Sequence, residues 1–256
     1  VRESYIFLGI VGYFTSITLL KSLLKYLYSL KYVLYILKCL GIMYLGAGIG
    51  SVIAEYLQSK SEDELILLAR NFSDSKKKSK KGVHEISVDL TNESEIFDFK
   101  IPASCKDLKA LVLNAGTFYT KGILDSGEKE IQKQFELNVF SYVNMIQKMH
   151  PYFVDGKTHI FIMASSASYS GIANAGMYAA SKHAVLGLAR SLREELSARK
   201  IKVTALAPGS TWSSSWEGSG VDPNTLIDPK DIAHIIYSLM NTSFRTNVDE
   251  VILNPL

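Results

Sequence analysis

Two rhythms of apolar residues alternate along most of the chain. Short runs dominated by apolar residues, Leu65–Leu68, Ala110–Leu113, Ile160–Met163 and Ile201–Leu206, have the length and composition of buried strands. Longer segments between them repeat at helix spacing. Ile131, Phe135, Val139, Val143, Ile146 and Met149 form one stripe, and Val185, Leu188, Ala189, Leu192 and Leu196 form another. Glu85–Leu90 reads as a further strand with an acid near its end, and Asp249–Leu253 as a final one. Asp228-Pro229-Lys230-Asp231 carries the capping and proline signals of a helix start. Strands alternating with helices predict a single α/β domain, a doubly wound (Rossmann-type) parallel sheet with helices on both faces.

The pattern breaks at the front. Tyr5–Leu20 carries no charge, and Lys21, Lys25, Lys31 and Lys38 then punctuate a Tyr/Leu-rich run. A bilayer-spanning helix needs about 20 predominantly apolar residues, and this run is shorter. Three readings of the atypical segment 1–45 stand open. It would be a membrane anchor acting through residues 5–37, with its lysines on the cytoplasmic side. It would be an amphipathic surface or dimer helix, or a non-native extension; the end of the segment is expected to carry the first strand. The regular domain then occupies 46–256.

Composition narrows the classes. The 256 residues are 47% hydrophobic and 21% charged, which suits one globular α/β domain with a sizeable core. A net charge of +3 is too small to argue for nucleic acid. The basic run Lys76–Lys81, interleaved with serines, reads as an exposed loop. Cys39 and Cys105 show no paired spacing of a metal site or disulfide framework, so no metal is expected. A reduced, cytoplasmic compartment follows by default, with membrane association as the alternative.

The densest chemistry lies between Ile160 and Glu195. Tyr178 opens a helical pattern, and Lys182, four residues on, shares its face. A phenol beside an ammonium is expected to have a lowered pKa and to serve as a proton donor or acceptor. Ser165, just past the strand, is placed to hydrogen-bond the same reacting oxygen. Near the front, Gly46, Gly48, Ile49 and Gly50 form a glycine-rich turn running into a helix, a backbone that admits a pyrophosphate at a helix N-terminus. In Rossmann-type sites an acid after the second strand binds the ribose hydroxyls of NAD, whereas an arginine accommodates the 2′-phosphate of NADP. Ala69 stands at that position and Arg70 follows, which favours NADP(H) over NAD(H). His150 and His183 have no partners at metal-ligand spacing and are assigned no catalytic role.

Tyr178-Ala-Ala-Ser-Lys182 resembles the YxxxK signature of the short-chain dehydrogenase/reductase family, and the family's step from serine to tyrosine selects Ser165 over Ser166. The resemblance runs from about Leu45 to Leu253. It implies a nicotinamide-dependent oxidoreductase interconverting a carbonyl and a secondary alcohol. Tyr178 would be the general acid/base, Ser165 would hold the substrate oxygen, and Lys182 would lower the tyrosine pKa and bind the nicotinamide ribose. The resemblance also implies that Asn138 supports a water in a proton relay and that Asp89 lies beside the adenine, the alternative for Asp89 being a helix cap. Asn114, Ala115 and Gly116 match the NAG motif, which stabilises the central strands and leaves room for cofactor. Pro208, Gly209 and Ser213 match the segment against the nicotinamide, and the Trp212–Trp216 stretch that follows suggests a mobile lid. A small carbonyl or alcohol substrate is implied, together with a homodimer or homotetramer built through the helices at Asn138 and Tyr178. One departure stands out: the Thr-Gly of the family's TGxxxGxG turn falls on Met43-Tyr44. If that change excludes cofactor, the chain would be a non-catalytic binding or scaffold relative.

Overall fold

The computed structural model describes the strand 42–45 and residues 48–72 and 82–256. The fold lies within Cys39–Leu256. The expectations for residues 1–41 and for the lysine run 76–81 fall outside the described residues, as does Gly46.

Seven strands form one parallel sheet: β1 (Ile42–Leu45), β2 (Leu65–Ala69), β3 (Val83–Ser87), β4 (Ala110–Leu113), β5 (His159–Met163), β6 (Lys202–Pro208) and β7 (Glu250–Leu253). Their order across the sheet is β3-β2-β1-β4-β5-β6-β7. The order reverses between β1 and β4, where Ile42 pairs with Ala110. Parallel sheets need both faces covered, and alternate residues of each strand serve opposite faces. Leu111 and Leu113 join one apolar cluster with Tyr142, Met145, Val185 and Ala189. Ala110 and Val112 join the other with Ile53, Leu57, Ile232 and Ile236.

The second cluster is supplied by helices α1 (Ile49–Lys60) and α6 (Pro229–Met240). In α1 the buried residues Gly50, Ile53, Ala54 and Leu57 recur at helix spacing. The first cluster draws on α2 (Glu93–Asp98), α4 (Ser141–Met149) and α5 (Gly176–Leu196). Helix α6 begins as the sequence predicts, with the Asp228 carboxylate accepting a hydrogen bond from the Lys230 N–H.

Two local expectations are corrected. The third strand starts at Val83, earlier than expected, because it pairs with β2 from Leu65 onward, and Asp89 therefore lies beyond it. Asp89 caps no helix either: it accepts from the Thr91 N–H and hydroxyl in a turn, while Asn92 caps α2. The stripe from Ile131 to Met149 is also not one regular helix. It consists of α3 (Glu128–Phe135), a π turn over Glu136–Phe140, and α4. Among the described residues no helix is long and apolar enough to cross a membrane.

Candidate active site

Strands β4, β5 and β6 deliver the chemistry from their carboxyl ends, the edge where open α/β sheets bind ligands. Strand β5 ends at Met163, and Ser165 follows in an extended conformation. Its hydroxyl accepts from the Ala167 N–H, and its own N–H donates to Ser168 Oγ, so a tight turn fixes the side chain. Ser168 Oγ in turn donates to the Lys182 carbonyl at 2.8 Å, joining this turn to α5.

Tyr178 sits in the first turns of α5, half-buried, with the Ser165 side chain beside its phenol. The Phe118 ring meets the tyrosine ring edge-on, with centroids 4.7 Å apart. Lys182 Nζ lies 5.9 Å from the Tyr178 ring centroid and donates to the Met163 carbonyl at 3.0 Å. The expected lowering of the phenol pKa is not what this environment produces. Burial raises the Tyr178 pKa above its ordinary value, and the Ser165 side chain only partly opposes it. Lys182 is itself pulled down to about 8 by burial, which weakens it as a source of positive potential.

Asn138 is fully buried in the π turn. Its Oδ1 accepts from the Thr117 N–H at 2.7 Å, and its Nδ2 donates to the Thr117 carbonyl and to Ser181 Oγ, each at 3.0 Å. Ser181 Oγ donates onward to the Tyr178 carbonyl. The amide thus ties the turn after β4 to the helix carrying Tyr178 and Lys182. That turn is Asn114-Ala115-Gly116. A Cβ on Gly116 would lie 3.3 Å from Asn138 Oδ1 and 3.6 Å from Lys182 Nζ, so glycine keeps this approach open.

Gly48 adopts φ +85, a conformation side chains rarely tolerate, and stands immediately before Ile49 at the start of α1. A Cβ there would come 3.3 Å from the Cβ of Ser213, so the turn after β1 meets the loop after β6. Met43 and Tyr44 are paired strand residues, in register with Ile66 and Leu67, rather than members of that turn. Pro208 ends β6, and the Gly209 N–H donates to the Leu253 carbonyl, so its close approach is to the chain after β7. Arg70 is exposed just past β2. The Asp89 carboxyl is held below its usual range chiefly by the Thr91 N–H, with the Arg70 charge also contributing. The loop expected to act as a lid is closed at its base by Thr211 bridging Ile227, and the Trp216 indole donates to the Thr211 carbonyl.

Ser165, Tyr178, Lys182 and Asn138 are therefore tied together around α5 through Ser168 and Ser181, with Gly116 packed beside Asn138 and Lys182, while Arg70 and Asp89 lie together off the end of β2. Sequence reasoning missed Ser168, Ser181, Thr117 and Phe118. Ser168, three residues past Ser165, carried a weak turn signal, and Ser181 lies inside the Tyr178–Lys182 span. Thr117 acts through its backbone and Phe118 is an aromatic in a loop; neither leaves a pattern.

Comparison with known proteins bears on this arrangement. The chain is 33% identical over 172 residues to the uncharacterized oxidoreductase YusZ of Bacillus subtilis (strain 168), covering 66% of this chain and 59% of that protein. Its match thus spans less than two thirds of that relative's length. A metagenomic short-chain oxidoreductase in complex with NADP superposes with a TM-score of 0.72 at 24% identity, over 85% of this chain and 97% of that one. A 4-hydroxyisoleucine dehydrogenase complexed with NADH gives 0.72 at 20% identity, over 84% and 97%. These two likenesses show the fold. The sequence profile described as short chain dehydrogenase matches residues 42–220, most of the described protein, and by that match the chain belongs to the short-chain dehydrogenase family.

Proposed function

We propose that the chain is an NADP(H)-dependent oxidoreductase that interconverts a carbonyl and a secondary alcohol of a small molecule, with Tyr178 as general acid/base. The observation that carries this reading is the half-buried Tyr178 phenol beside the Ser165 side chain, with the buried Lys182 Nζ 5.9 Å from the tyrosine ring centroid. Residues that would hold a nicotinamide cofactor fit the role. Gly48 opens the backbone at a helix N-terminus, Gly116 leaves space beside Lys182, and exposed Arg70, with alanine rather than an acid at position 69 and Asp89 nearby, would meet a 2′-phosphate. When bound, the nicotinamide supplies or accepts the hydride.

The chain's own residues handle the proton. Burial keeps the Tyr178 phenol protonated through neutral pH, so in the reducing direction it donates its hydroxyl proton to the substrate oxygen. Ser165 hydrogen-bonds that oxygen and orients it toward the phenol. Lys182, charged below about pH 8, stabilises the phenolate left behind. Asn138 holds the Thr117 turn and α5 in a fixed relation, so the proton donor does not drift. A non-catalytic binding relative is the second reading. Met43 and Tyr44, strand residues standing where the family's turn has Thr-Gly, favour it.

Titration with NADPH and NADH, followed by nicotinamide fluorescence, separates the two. NADPH is expected to bind at least about tenfold tighter than NADH, a difference of about 1.4 kcal/mol. The Tyr178→Phe variant should keep its fold and its NADPH affinity while losing about 10²–10⁴-fold in turnover of a carbonyl substrate. Binding of neither cofactor by folded protein supports the non-catalytic reading, and normal turnover in Tyr178→Phe removes the assigned role.

A further inference from the structure

At the amino ends of the strands, the opposite edge of the sheet from Tyr178, three chemically unlike side chains meet on one carboxylate oxygen. Glu64 directly precedes β2, His84 is the second residue of β3, and Cys105 lies in the chain leading into β4. His84 Nε2 stands 3.3 Å from Glu64 Oε2, and Cys105 Sγ stands 3.3 Å from the same oxygen. All three atoms lie within 4.8 Å of one another. The Ser104 hydroxyl donates to Glu64 Oε2 at 2.6 Å and steadies the carboxylate.

These separations have a chemical meaning. Zinc binds imidazole nitrogen and carboxylate oxygen at about 2.0–2.1 Å and thiolate sulfur at about 2.3 Å, in a tetrahedron. The edges of such a tetrahedron run to about 3.3–3.5 Å by the same bond lengths, close to the two distances present. The charges balance as well, since one carboxylate and one thiolate neutralise a dication and the imidazole binds neutral. Thiolate and imidazole select a zinc-type ion over the oxygen-preferring magnesium and calcium. Backbone pairing fixes the frame, with Ile66 in register with His84. Cys105 is only 5% exposed, whereas the side chains of Glu64 and His84 are 28% and 35% exposed, which leaves a fourth position to solvent.

We propose that Glu64, His84 and Cys105 form a three-ligand site for a zinc-type divalent ion, completed by solvent, that staples β2, β3 and the entry to β4. Binding forms one bond each to oxygen, nitrogen and sulfur, and the Cys105 thiol proton leaves to solvent. The site is independent of the hydride chemistry at the other edge.

The test is titration of the metal-stripped full chain with cobalt(II), then zinc(II). One equivalent of cobalt should saturate a thiolate-to-metal charge-transfer absorption, and zinc should displace it. Cys105→Ser should abolish the band, and His84→Ala and Glu64→Gln should each weaken binding at least about tenfold. Zinc should raise the thermal midpoint of the wild type but not that of Cys105→Ser, and NADPH affinity should not change in any variant. Absence of saturable binding by the wild type overturns the proposal. So does a cobalt band that persists in Cys105→Ser, or an affinity unchanged in His84→Ala, a variant that keeps the thiol if the serine variant does not fold.

Discussion

Lys182 is 4% exposed, and burial of its ammonium lowers its pKa from 10.5 to about 8. The sign of the effect on stability follows directly. Between about pH 8 and 10.5 the unfolded chain keeps a proton that the folded chain sheds, so the lysine's burden on the fold is full below about pH 8 and fades as the pH rises. Lys182→Met, which keeps the length of the side chain, should therefore stabilise the protein at pH 7 by about 1–3 kcal/mol, after loss of the bond to the Met163 carbonyl. Turnover should collapse in the same variant. Urea denaturation from pH 7 to 10.5 checks this, and the gain should shrink toward the alkaline end. The pairing of Tyr178 with Lys182 was legible from their four-residue spacing. The direction of the tyrosine shift was not, because burial comes from neighbours such as Phe118 that lie far away in sequence.

Between residue and fold, the π turn over Glu136–Phe140 is the element that makes the site one piece. Its widened loop lets Asn138 face inward to Thr117 and Ser181. Apolar periodicity recovers helices on either side but is blind to one extra residue per turn, so Ile131–Met149 read as continuous. Asp228 at the start of α6 was readable because a cap and a proline are local signals. Asp89 misled for the complementary reason: a carboxylate before Thr91 satisfies the same local pattern, but the helix starts at Glu93, where Asn92 accepts from the Ser94 and Glu95 N–H groups. Asn138→Ala should cost about 1–3 kcal/mol, since it strips partners from the Thr117 backbone and Ser181. Chemical denaturation of the purified variant reads the loss.

Across the whole molecule, alternating apolar runs were enough to specify a doubly wound parallel sheet, because each strand and crossover helix is a local unit. Contacts between distant units were not legible. Glu64, His84 and Cys105 share no spacing, and neither do Gly48 and Ser213, which meet from opposite sides of the β1–β4 crevice. Gly48→Ala would demand a strained backbone and crowd Ser213. It should raise the NADPH dissociation constant at least about tenfold while the far-ultraviolet circular dichroism of the fold persists.

The strand order also divides the sheet. Each neighbouring pair is joined by a nearby stretch of chain except β1 and β4, where Ile42 and Ala110 have the largest sequence separation in the sheet and the ladder holds two residue pairs among the described residues. That ladder is the seam between two flanks, β1–β3 and β4–β7. Gly48 belongs to the first flank and Ser213 to the second, so a ligand gripped by both acts as a clasp on the join. NADPH should therefore slow unfolding in urea as well as raise the midpoint, and unfolding rates with and without the cofactor check this.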